Sequence, residues 1–165
     1  VLGSSIKSNF KEIIMKQSIW MSAAISGLLF FSSTAFAAKC DGNWSNVGDI
    51  GETVDLGGGV TFTIWRAAGT TSSANSPMNG AGHCGGYIVA FPDGTSKLSY
   101  ACARKDKNGG IHVDAGGMEP GDERGTWGTV FGSGNFENFE GAGTWAPIFA
   151  NGNVTLGEFV GECSN

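Results

Sequence analysis

An all-β fold, an antiparallel and mostly up-and-down barrel of about eight strands stabilised by two disulfides, is the class this 165-residue sequence predicts. Three observations predict it. Short runs of alternating residues are separated by Pro-Asp-Gly, Asn-Gly and Gly-Ser-Gly turns, the pattern of half-buried strands joined by hairpins. Beyond Lys39 no stretch repeats apolar residues at helical spacing, and glycine breaks every run before it holds more than a turn or two of helix. Glycines also lie inside the strands, at positions 128, 141, 143, 157 and 161, which weakens flat strands but suits the sharp coiling of a small closed barrel.

The barrel begins after a leader. Met15-Lys16, an apolar run over residues 19–31 and Ala35-Phe36-Ala37 have the order of a secretory signal peptide, residues 15–37, with cleavage before Ala38. The run is too short for the roughly 20 residues of a membrane span. Residues 1–14 are read as an unstructured upstream extension, and residues 38–165 as a single secreted or periplasmic domain. Lys39 stands before Cys40, where a lipid-attachment signal wants a small residue, so stable membrane insertion after cleavage is not expected. The domain carries 7 Lys and Arg against 14 Asp and Glu, a net charge of −7. Such a surface repels phosphate backbones and argues against nucleic acid as a partner.

In chain order, residues 40–59 read as a loop or short irregular strand. Val60, Phe62 and Ile64 alternate with Thr61, Thr63 and Trp65 in a strand that ends at Ala67. Residues 69–82 form a small-residue loop, long enough to be a lid candidate. Strands over 83–91 and 95–104 flank the turn Pro92-Asp93-Gly94, and a weaker strand covers 111–115. Residues 124–163 make a meander of three strands whose bulky members are Trp127, Phe131, Trp145 and Phe149.

The four cysteines all fall in the exported domain, which favours two disulfides, and none has the close spacing of a zinc site. No metal is expected. A three-residue loop at Pro92-Asp93-Gly94 flanked by Phe91 and Thr95 makes paired residue numbers total 186, the total of Cys84 and Cys102. This register puts Gly86, Ile88 and Ala90 on one face with Leu98 and Tyr100. Cys40 and Cys163 then join the first and last strands, which barrel closure brings side by side.

Over Trp127 to Trp145 the pattern W-x-x-x-F-G-S-G-x-F-x-x-F-x-G-A-G-T-W resembles the strand-turn-strand signature of small secreted bacterial β-barrels that share the calycin-like barrel of allene oxide cyclases and dirigent proteins. With the upstream cysteine pair, the resemblance covers residues 82–163. It implies a lumen able to hold an apolar molecule; the cyclases use theirs to fold a reactive substrate. Asn138-Phe139-Glu140-Gly141-Ala142-Gly143 departs from the usual short glycine turn by adding an acidic residue.

Tyr100, Arg104, Trp127 and Trp145 are the candidate ligand-binding residues, aromatic rings to stack on and a guanidinium to pair with. His83, at the end of the small-residue loop, and Glu140 are the candidate acid or base if the barrel is catalytic. Glu137 and Glu140 point to opposite faces of an extended segment and read as solvated charges. Asp106, Asn108 and Asp114 lack the spacing of a calcium loop. No hydrolase, zinc-peptidase or phosphate-loop motif is present, and no cofactor is expected. The expected function is therefore a secreted, non-catalytic barrel that binds a small apolar or aromatic ligand. The alternatives are a cyclase-like or isomerase-like enzyme using the same cavity, and a structural module with a filled core.

Overall fold

The computed structural model describes residues 37–164, so the readings made for residues 1–36 lie outside the described residues. Eight strands follow in chain order: β1 (Ala38–Gly57), β2 (Val60–Ser72), β3 (Gly80–Ala90), β4 (Ser96–Lys105), β5 (Ile111–Met118), β6 (Gly125–Ser133), β7 (Glu140–Asn151) and β8 (Val154–Ser164). A single 3-10 turn, Gly134–Phe136, interrupts them between β6 and β7. Every strand pairs antiparallel with its neighbour in sequence and β8 returns to β1, closing an up-and-down barrel. Both disulfides form as the sequence predicts, Cys40 with Cys163 and Cys84 with Cys102.

The β3–β4 hairpin follows its turn chemistry. Phe91 donates its N–H to the Thr95 carbonyl at 2.9 Å, and Gly94 takes the left-handed conformation at φ 85° that an L side chain resists. The register runs from Ala81 opposite Lys105 to Ala90 opposite Ser96, with Cys84 directly facing Cys102.

Two sequence expectations need correction. Residues 40–59, read as a loop or short irregular strand, belong mostly to β1, the longest strand in the barrel at 20 residues. Its apolar content is low, but β8 pairs with it along Ala38–Val47 and β2 along Asn43–Gly57, and such pairing overrides weak intrinsic strand preference. Nor does β2 end at Ala67; it runs on to Ser72. The small residues Gly69, Thr70 and Thr71 pair with Gly82, Ala81 and Gly80, so the predicted 69–82 loop contracts to residues 73–79. That segment lies at the end of the barrel shared with both chain termini of the domain, where it buries Met78 to 4% exposure. It plugs the floor.

Alternate residues of each strand face inward, and the inner wall explains the glycines. A Cβ on Gly125 would collide with the Trp145 indole, and one on Gly157 with the Trp44 indole. Each ring lies flat over a bare stretch of the adjacent strand, which lets large aromatics fit inside a narrow barrel. Cys40, Met78, Trp127, Phe136, Phe139, Trp145, Phe159 and Cys163 form the buried core. Most of it sits toward the closed end, leaving space above.

Candidate functional site

That space is a cavity of about 420 Å³, lined from the floor upward by Met78, Arg104, Asp114, Trp127, Tyr100, Trp145, Leu98 and Ile88, and at the rim by Pro147, Ala150 and Asn153. Its aromatic wall is rigid. Trp145 makes edge-to-face contacts with Trp44 and Tyr100 at centroid distances of 6.0 and 5.8 Å. The indole N–H of Trp145 donates to the Thr126 carbonyl at 3.0 Å, and those of Trp44 and Trp127 donate to the Glu158 and Val160 carbonyls at 3.3 Å each. With their polar ends tied to backbone, these rings present apolar surface to the lumen.

The floor is polar. Arg104 on β4 and Asp114 on β5 form a buried ion pair, their side chains 8% and 6% exposed. Cys84 Sγ lies 3.5 Å from the second terminal nitrogen of Arg104. His112 is two residues from Asp114 on the same inward face; its Nε2 shares a hydrogen bond of 3.1 Å with Thr129 Oγ1. The imidazole lies between Phe136 and Phe139, each ring centroid 5.3 Å away. Asn138 at φ 66° and Gly134 at φ 63° fold the β6–β7 loop back so that both rings point into the floor; asparagine tolerates this left-handed geometry better than most residues.

Burial governs the titration here. It pushes the Asp114 carboxyl up from its ordinary value, against the pull of the Arg104 guanidinium. It raises the Tyr100 phenol, with the Asp114 charge adding to the effect. His112 is driven down to about 4, first by burial and then by Arg104, so the imidazole is neutral near pH 7 and its 3.8 Å approach to Asp114 is no ion pair.

Three polar atoms of cavity-lining residues are buried without a partner in the protein: Arg104 Nε, Trp65 Nε1 and Asn46 Oδ1. Two are donors and one is an acceptor. A buried polar group left unpaired costs about 1 to 3 kcal/mol, and these three atoms lie within the wall, with almost no surface open to the lumen.

The barrel brings Tyr100, Arg104, Trp127 and Trp145 together as lining of this one cavity. The other two candidates stand elsewhere. His83 lies on the outer face of β3, exposed and paired with Ala68 and Ala103. Glu140 is exposed at the start of β7, as is Glu137 in the loop before it. Neither lines the cavity. Sequence reasoning missed Asp114, His112, Trp65 and Asn46. The signal for the first two was the alternation Ile111-His112-Val113-Asp114, hidden because here the polar members face inward and the apolar ones outward.

No family model matches the chain, and no curated protein matches it. Among solved structures it is similar to the pterocarpan synthase dirigent protein GePTS1, with a TM-score of 0.53 and 11% identity over 77% of this chain and 88% of that one. The fold is a dirigent-like barrel. A second pterocarpan synthase dirigent protein, PsPTS1, aligns with a TM-score of 0.49 and 11% identity over 78% of this chain and 95% of that one. At such identity the likeness describes architecture, and activity has to be argued from the site.

Proposed function

We propose that this dirigent-like barrel is an exported receptor for a small aromatic molecule bearing an oxygen acceptor, held in the lumen without chemistry. The observation that carries the reading is an open cavity of about 420 Å³ with an aromatic wall and the buried Arg104–Asp114 pair in its floor, a size usual for small-molecule sites. The guest's ring packs among Trp44, Trp127, Trp145 and Tyr100. Its carbonyl, phenol or carboxylate oxygen turns to the polar floor, toward the Arg104 guanidinium. Two disulfides suit the oxidising environment of an exported protein. Among the described residues no helix is long and apolar enough to cross a membrane.

Tryptophan fluorescence tests the reading, because four indoles line the lumen. Titration with 1-naphthoic acid should quench emission saturably at one site per chain, at least about tenfold tighter than naphthalene, a ratio equal to the value of one hydrogen bond to a charged donor. Absence of saturable quenching by any aromatic acid, phenol or ketone would overturn it. One observation favours a cyclase-like or isomerase-like reading instead: Asp114, raised by burial, and Tyr100 both line the lumen and could exchange a proton with a bound substrate. Recovery of the guest chemically altered would select that reading.

A further inference from the structure

A second concavity lies on the outside of the barrel, on a wall that is otherwise convex. Leu98, Tyr100 and Trp127 line the lumen, so their strand neighbours Ser99 and Thr126 face outward. Tyr87 pairs with Ser99, Ser99 with Gly117 and Gly117 with Thr126, forming one outward row across β3 to β6. Gly117 has no side chain, so the row dips between the two hydroxyls. The β5–β6 connection, residues 119–124, is brought against this dip, and Glu119, Asp122 and Arg124 complete a groove of about 340 Å³. That volume is at the small end for small-molecule sites.

The sides of the groove are held in place. Lys97 Nζ, on β4, donates to both carboxylate oxygens of Glu119, at 3.0 and 2.7 Å. Arg124 Nε donates to Thr144 Oγ1 at 3.1 Å and its Nη1 to Glu158 Oε1 at 2.9 Å, which lays the side chain across the outside of β7 and β8. The Tyr87 ring is stacked on Phe62, with centroids 5.5 Å and planes 25° apart. These contacts fix the lining before any guest arrives, which lowers the cost of ordering it on binding.

We infer that this groove is a second binding site, one for a neutral saccharide. The lining chemistry selects that class. Lys97 and Arg124 are balanced by Glu119 and Asp122, so no net field draws an ion in. Ammonium and guanidinium donate, carboxylates accept, and the hydroxyls of Tyr87, Ser99 and Thr126 do either. The guest that matches such a lining carries many hydroxyls, each a donor and an acceptor at once. Tyr87 adds a ring on which the C–H face of a pyranose packs, with a phenol to meet a sugar hydroxyl. An apolar guest would strand these polar groups, and the lumen suits it better. Because the groove is open to water, each hydrogen bond there replaces one to solvent, and the dissociation constant should be on the order of 1 mM. Groove and lumen lie on opposite sides of the wall, so both can be filled at once.

Nitrogen–proton correlation spectra of the full chain, titrated with cellobiose, maltose, lactose, mannobiose and N,N′-diacetylchitobiose to about 20 mM, well above that constant, test the inference. At least one disaccharide should shift the amides of Ser99, Gly117 and Thr126 saturably. Thr126→Val and Asp122→Asn, both at exposed positions, should each weaken its binding about fivefold, the value of one hydrogen bond, while the melting temperature stays at the wild-type value. Thr70→Val, exposed on β2, should change nothing and serves as the control. Quenching by 1-naphthoic acid should be the same with and without saturating saccharide. No shift with any of these sugars, a sugar that displaces 1-naphthoic acid, or an affinity that both groove variants leave intact would overturn the inference, as would sulfate or spermidine moving these amides where no sugar does. If one variant fails to fold, the other decides, because Thr126→Val alters the floor of the groove and Asp122→Asn its overhanging side.

Discussion

At one end of the barrel the 73–79 loop is pinned by Ser73 Oγ donating to the Asp41 carbonyl at 2.6 Å and by Asn79 Nδ2 donating to the Ser73 and Ser76 carbonyls at 3.0 and 3.2 Å. The β6–β7 loop there inserts Phe136 and Phe139, both under 5% exposed. At the other end the connections include the glycine turn at 57–60, the Pro92-Asp93-Gly94 turn and the Gly152 turn, and residues 51–59 are all exposed. Strand residues such as Cys40, Cys163 and Phe159 crowd the closed end, and the connections complete the seal there. Connections that carry buried apolar residues make a floor, and connections that bury none leave a mouth. The first two predictions act on the floor and the third on the mouth, in order of decreasing effect on stability.

Removing the Cys40–Cys163 bridge should have the largest effect. It ties β1 to β8 at the floor across a sequence separation of 123 residues, with a Cα–Cα distance of 5.6 Å, and Cys40 is fully buried. In the chain-entropy model such a loop contributes about 4 to 5 kcal/mol, against about 3 kcal/mol for the shorter Cys84–Cys102 loop. The double variant Cys40→Ser, Cys163→Ser should therefore lower the melting temperature by roughly 15 °C, more than the corresponding change at Cys84 and Cys102. Calorimetry of the two variants checks the order; an equal or reversed pair of shifts would show that barrel closure does not rely on the terminal staple.

The second prediction concerns the polar floor and pH. His112 has its folded value lowered to about 4 from an ordinary 6.5. Between these values the unfolded chain binds the proton that the folded chain refuses, so stability is present above about pH 6.5 and is lost as pH falls toward 4. The contribution is about 3 kcal/mol over the window. Asp114, raised by burial, gives a slope of opposite sign that persists when His112 is replaced. His112→Gln should thus flatten the fall in urea midpoint between pH 6.5 and 4.5 relative to wild type; parallel curves would mean the imidazole is not held neutral by the floor.

The contrast between the ends also marks how far the sequence could be read. Turn chemistry was legible because it is local: Pro92-Asp93-Gly94 dictates the β3–β4 register, and with it one disulfide. Closure followed from the glycines inside the strands, at 128, 141, 143, 157 and 161, and closure in turn paired Cys40 with Cys163. What was hidden depends on contacts distant in sequence. β1 looks like a loop until β8 and β2 pair with it, and the 69–82 segment looks like a lid until Gly69 meets Gly82 and Met78 fills the floor. In the site, the aromatic side chains and Arg104 stood out by residue type. Asp114 and His112 did not, since a polar residue in an alternating strand is ordinarily assigned to solvent, and only the closed barrel reverses that assignment.

The smallest effect on stability is expected at the mouth, and there the readout is kinetic. Ala150 is exposed on β7 opposite Thr155 and belongs to the rim of the cavity. Phenylalanine suits a strand, and a surface change remote from caps, turns and buried groups usually stays within about 0.5 kcal/mol. Ala150→Phe should therefore melt with the wild type while narrowing the way in. A narrowed gate raises the barrier equally in both directions, because bound and free guest are untouched and only the passage between them is harder. Stopped-flow quenching by 1-naphthoic acid should show association and dissociation slowed by the same factor, about tenfold for a barrier raised by 1.4 kcal/mol, with an unchanged dissociation constant. A change at the floor has the opposite kinetic form: Met78→Ala removes packing beneath the guest and should speed dissociation while association stays as it was. If Ala150→Phe leaves both rates alone and Met78→Ala speeds both, guests pass through the floor, and the two ends of the barrel have exchanged roles.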